Sequence, residues 1–193
     1  MRIKICGITR PKDAKFAEEQ GADAIGVVVF SGGVSRRDVS EENAREIFKT
    51  VGPFTTTVAV SHTTSEEDLH RMIALHPGAI QISHPFRFDK DPGVKVIRVI
   101  ARGDPLPDDC DAIIVDDSHG NGRDFDPAYA SDAARHSKIP VILAGGLTPG
   151  NVRDAIRTVR PYAVDVASGV ETSPGIKDHA KVRAFIDACR SII

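Results

Sequence analysis

The chain has 193 residues, with 25 basic against 27 acidic side chains, a near balance that argues against electrostatic binding to nucleic acid or to a membrane surface. The first residues, MRIKICGITR, lack the continuous apolar stretch of a signal peptide, and no later run approaches a membrane span. Cys6, Cys110 and Cys189 are an odd, widely spaced set without metal-site spacing, so reduced thiols and a cytoplasmic setting are expected, and the length suits one domain over residues 1–193.

Short apolar runs alternate with helical patterns along the whole length. Ile3–Cys6 reads as a strand, followed by a helix over Pro11–Gln20, a strand over Ala24–Phe30 and a helix over Ser40–Thr50. Thr56–Ser61 and Ala79–Ser83 are the next strands, separated by a helix over Ser65–Leu75. Ser40 and Ser65 both precede acidic residues, as N-caps facing a helix dipole do. The strands Val94–Ile100 and Ala112–Asp116 follow, but the connections around them are poor in helix formers. Pro85–Gly93 contains two prolines and a glycine, and Gly103–Asp109 reads GDPLPDD, so neither should hold more than a turn of helix. A helix over Pro127–His136, a strand over Pro140–Ala144, a Thr148-capped helix over Pro149–Val159, a strand over Tyr162–Val166 and a helix over Lys177–Cys189 complete the pattern.

Eight strands alternating with helices are what a closed (β/α)8 barrel requires, here with its fourth and fifth helices shortened or absent. A doubly wound open sheet is the rival, and it needs a reversal in strand order. If the two helices are missing, the bare flanks of the fourth and fifth strands become the expected contact surface of a homodimer.

In such a barrel the chemistry belongs at the carboxyl ends of the strands and in the loops that follow. Those positions carry Cys6, Arg36 and Arg37, His62, His84, and Asp116 with Asp117. Taken alone, Cys6 reads more readily as a buried apolar residue. The last two strands end in Gly145-Gly146 and Ala167-Ser168-Gly169, turns that can set backbone N–H groups side by side for a phosphate. A thiolate and a carboxylic acid facing each other beside such a grip would suit proton transfer on a sugar phosphate. An arginine nearby would add bidentate recognition of a carboxylate. Two alternatives stand beside this reading: a metal-dependent epimerase using His62, His84 and the mouth aspartates, and a phosphate-binding barrel without catalysis.

Five stretches carry a family resemblance: KICGIT (Lys4–Thr9), GADAIGVVV, VDDSHGNGRDFD (Val115–Asp126), LAGGLTPGNV (Leu143–Val152) and RPYAVDVASGVETSPGIKD (Arg160–Asp178). In this order they closely resemble the phosphoribosylanthranilate isomerases of tryptophan biosynthesis. The resemblance implies a cofactor-free barrel that converts the small-molecule substrate N-(5′-phosphoribosyl)anthranilate into an aminoketose by an Amadori rearrangement. It implies Cys6 as general base and Asp116 as general acid. It implies Arg36 or Arg37 as the ligand of the anthranilate carboxylate, and it matches Asp165 to a substrate-side aspartate of the eighth strand. Gly145, Gly146, Ser168 and Gly169 match its phosphate loops. The histidine that follows the fourth strand is displaced to His84, Ser61 stands where a Phe is frequent, Ala167 where a serine is, and Asp117 where a threonine is.

Overall fold

The computed structural model describes residues 1–88, 90–116 and 126–191. Asp117 and the glycine-containing stretch 118–122 lie outside them. Strands β1 (Arg2–Ile5), β2 (Ala24–Val28), β3 (Thr56–Ser61), β4 (Ala79–Ile82), β5 (Lys95–Ile100), β6 (Ala112–Val115), β7 (Val141–Leu143) and β8 (Ala163–Val166) are all parallel and pair in chain order. The ring closes where β8 pairs with β1, from Arg2 opposite Ala163 to Ile5 opposite Val166. The expected closed barrel is therefore the observed one.

Side-chain alternation divides the core in two. Ile3 and Ile5 join the layer between barrel and helices, whereas Cys6 joins an inner cluster with Val28, Val60, Ile97, Ile114, Ile142 and Ala163. Among the described residues, six helices cover the outside: α1 (Pro11–Gln20), α2 (Glu41–Thr50), α3 (Glu66–Ile73), α4 (Pro127–His136), α5 (Val152–Val159) and α6 (His179–Arg190). Ser40 and Ser65 cap α2 and α3 by accepting from Asn43 and Asp68 amides, and Asp126 and Asp178 each accept from two amides at α4 and α6.

Two helix starts differ from expectation. α5 begins at Val152 rather than Pro149, because Asn151 turns its side chain back on the preceding loop. Its Oδ1 accepts from the Thr148 amide at 2.7 Å and its Nδ2 donates to the Gly146 carbonyl at 2.9 Å, so Thr148 to Asn151 form a turn. α6 begins at His179, since Lys177 belongs to a two-stranded ribbon of β9 (Glu171–Ser173) and β10 (Ile176–Lys177).

Among the described residues, no helix occurs between β4 and β5 or between β5 and β6. The expectation that the flanks of these strands are bare is not met: Ile80, Ile82, Val96 and Ile100 are buried. Phe86 folds over them, and buried Arg98 fastens the cover. The Arg98 guanidinium donates to the carbonyls of His84 and Phe86 and to Asp109. Arg98→Met should therefore cost about 1–3 kcal/mol by leaving these carbonyls without their donor. Denaturant unfolding measures that loss, and faster amide exchange confined to residues 84–88 locates it.

Candidate active site

At the carboxyl end of the barrel, Cys6 continues β1, its amide donating to the Val166 carbonyl at 2.8 Å. Two residues earlier Lys4 also points inward, and its ammonium is held at 2.9 Å by both Asp165 Oδ1 on β8 and Gln81 Oε1 on β4. Gly26 on β2 makes room for both side chains. A Cβ there would lie 2.7 Å from the Cys6 Sγ and 3.1 Å from the Lys4 Nζ. Burial raises the Cys6 thiol above its ordinary pKa, and Lys4 acts against that rise. Burial also works against the charge on Lys4, but Asp165 and Cys6 outweigh it and leave the ammonium more basic than usual.

Of the two arginines after β2, Arg37 is the one that lies across the mouth, while Arg36 is exposed. The loop is anchored by Asp38, whose carboxylate accepts from the Ser31 amide and hydroxyl. Arg37 then passes over Gly7, where an added Cβ would meet its Cδ at 2.4 Å. Gly7 has φ +70°, a further reason for glycine there. Glu171 grips Arg37 from the side, with Nε at 3.0 Å from Oε1 and an Nη at 2.7 Å from Oε2. The same carboxylate receives buried Lys177 at 2.8 Å, and Lys177 also donates to the Ala167 carbonyl at 3.2 Å.

Burial opposes ionisation of Glu171, but Arg37 and Lys177 prevail and hold its pKa below the ordinary value. A carboxyl with a depressed folded pKa stabilises the fold above its unfolded pKa and loses that contribution as pH falls through the folded one. Glu171→Gln should thus cost about 3–5 kcal/mol near neutrality, where Lys177 would be left buried without its partner. The gap between variant and parent should close at acid pH, and denaturant unfolding at several pH values measures it.

Asp116 follows β6, half-buried, with its amide donating to the Ile100 carbonyl at 3.0 Å. Its charge acts on Asp165, whose carboxyl burial raises, Lys4 lowers and Asp116 raises further. Asp165 thus stands within electrostatic reach of both Cys6 and Asp116.

The two glycine turns come together as expected. Gly145 and Gly146 have φ of +91° and +61°. A Cβ on Gly169 would lie 1.9 Å from the Leu147 carbonyl oxygen, so the turn after β8 rests directly on the turn after β7. Ser168 is exposed and opens a single 3-10 turn, Ser168–Val170. His62 meets Ser83 Oγ at 2.9 Å, and the His84 ring packs edge-on against Phe86. Among the described residues, no three His, Cys, Asp or Glu side chains gather as a metal site would need.

The sequence reading assigned no role to Lys4, Gln81, Glu171 or Lys177. A signal for Lys4 was present, since strand alternation puts it on the same inward face as Cys6.

A family model described as N-(5′-phosphoribosyl)anthranilate (PRA) isomerase matches residues 3–188. An N-(5′-phosphoribosyl)anthranilate isomerase of Methanoregula boonei is 64% identical over 190 residues, covering 98% of this chain and 97% of its own. The phosphoribosyl anthranilate isomerase of Thermus thermophilus superposes with a TM-score of 0.85 at 33% identity, covering 100% of both chains. A phosphoribosyl anthranilate isomerase in complex with reduced 1-(o-carboxyphenylamino)-1-deoxyribulose 5-phosphate gives 0.80 at 33% identity, with 98% of each chain covered.

Proposed function

Because this chain belongs to the N-(5′-phosphoribosyl)anthranilate isomerase family and catalyses that isomerisation in tryptophan biosynthesis, we propose that Cys6 and Asp116 divide its two proton transfers. Asp116, protonated, gives its proton to the furanose ring oxygen and opens the ring to a Schiff base. Cys6, as thiolate, then removes the proton from the neighbouring sugar carbon, and the resulting enolamine tautomerises to the ketone.

One observation carries this reading: both groups lie at the carboxyl end of one closed barrel, linked electrostatically through Asp165, with the paired glycine turns at the same end. The phosphate is assigned to the turns at Gly145-Gly146 and at Ser168-Gly169. The anthranilate carboxylate is assigned to Arg37. Glu171 takes the Nε side of that guanidinium, so the opposite edge is the one a substrate carboxylate would meet. Asp165, beside both catalytic groups, is assigned to the substrate as well.

Loss of phosphoribosylanthranilate fluorescence on adding the protein is the direct test. Substrate consumption at a rate unchanged by a chelator supports the mechanism, and an unchanged fluorescence signal refutes it. A base role for Cys6 requires a reduced thiol, and all three cysteines are unpaired, which supports the cytoplasmic setting. No helix among the described residues is long and apolar enough to cross a membrane. For the homodimer, support moves from the covered thin side to the amino-terminal end, where Phe54 is 98% exposed beside a cleft of about 330 Å³. Light scattering at twice the chain mass is the expected result.

A further inference from the structure

We propose that Lys4 is a positioning residue for proton abstraction: its ammonium, clamped by Asp165 and Gln81 against the gap at Gly26, stabilises the thiolate form of Cys6. The proposal rests on Cys6 being the base. Three strands converge to place one cation. Lys4 is 3% exposed, and its two partners lie 77 and 161 residues away in sequence. Neither Gln81 nor Asp165 can swing, being buried in the barrel interior themselves. The missing side chain of Gly26 leaves a space that the Cys6 sulfur and the Lys4 ammonium share, each about 3 Å from where a Cβ would stand.

The charge balance around the sulfur points the same way. Lys4 on β1, Asp165 on β8, Lys177 on β10 and Arg37 after β2 all lie within electrostatic reach of Cys6. Glu171 pairs with both Arg37 and Lys177. Among the described residues of this cluster, three cations therefore meet two carboxylates, an excess of positive charge that favours the thiolate over the thiol. On abstraction the sugar C–H bond breaks, its electron pair forms the enolamine double bond, and the proton goes to sulfur. Lys4 stays protonated throughout, so it neither gives nor takes the proton.

The test is a pH titration of thiolate ultraviolet absorbance in the substrate-free protein, with the Cys6→Ser spectrum subtracted to isolate Cys6. Lys4→Met should move the midpoint up by about one pH unit or more. Asp165→Asn should move it down, because it removes the anion and frees the cation. Turnover of Lys4→Met should fall about tenfold for each unit at neutral pH and recover as pH rises, a recovery that mere loss of packing would not show. A midpoint that stays or falls in Lys4→Met, or stays or rises in Asp165→Asn, overturns the proposal. Should Lys4→Met fail to fold, Asp165→Asn decides alone. Full turnover in Cys6→Ser would instead remove the base assignment, which the titration does not depend on.

Discussion

Cys6→Ser and Asp116→Asn should each lower turnover by about 10²-fold to 10⁴-fold while the barrel stays folded, because each removes one of the two proposed proton-transfer partners. Serine keeps nearly the volume of cysteine but supplies no thiolate near neutral pH, however well Lys4 is placed. Asparagine keeps the shape of Asp116 but has no carboxyl proton to give to the ring oxygen. Cys6 lies in the inner cluster, away from the helix-facing layer that dominates the core. A packing role alone would thus lower the unfolding midpoint more than the rate, and steady-state kinetics beside thermal unfolding separates the two. Near-parental turnover in either variant removes that residue from the mechanism.

Gly169→Ala should have the second large effect, on substrate affinity first. The new methyl would sit 1.9 Å from the Leu147 carbonyl oxygen, a separation no relaxation of side chains can relieve because the obstacle is backbone. The turn after β8 must therefore lift off the turn after β7, and the N–H groups proposed to hold the phosphate separate. Gly146→Val should act similarly, since φ of +61° is strained for a β-branched residue. Both variants should raise KM by at least about tenfold and also lower kcat, since binding energy from the non-reacting phosphate helps to orient the sugar. Lys49→Ala, exposed in the last turn of α2 where it pairs with exposed Glu46, is the control that should leave both parameters near parental values. Unchanged KM in Gly169→Ala would remove the phosphate assignment.

Much of this architecture could be read from pattern. Thr56–Ser61, Pro11–Gln20 and Pro127–His136 are observed with the expected bounds, because apolar periodicity and proline at a first helical position are local signals. The helix-free connections around β5 were equally legible, since proline excludes helix whatever the tertiary context. Their cover was not. It depends on Arg98 reaching the carbonyls of His84 and Phe86, a contact that exists only once β5 has taken its place in the barrel.

The site divides the same way. Cys6, Asp116 and the glycine turns stand at strand ends and can be found by counting. Which of Arg36 and Arg37 turns toward the mouth cannot, since that depends on the anchoring of Asp38 on Ser31 and on the space over Gly7. Lys4, Gln81 and Asp165 lie on three separate strands, and only closure of the barrel brings them together. The thiol is a further case. Proton abstraction needs a thiolate, and burial in the free protein raises the thiol pKa, so Lys4 and the bound substrate must supply the opposing positive charge.

The most direct test of the central claim is a crystal structure with reduced 1-(o-carboxyphenylamino)-1-deoxyribulose 5-phosphate bound. The phosphate should lie between the turns at Gly145-Gly146 and Ser168-Gly169, the carboxylate should meet Arg37, and the sugar carbons should span from the Cys6 sulfur to the Asp116 carboxyl within hydrogen-bond reach of each. A phosphate seated elsewhere, or a sugar that leaves either Cys6 or Asp116 out of reach, would contradict the account.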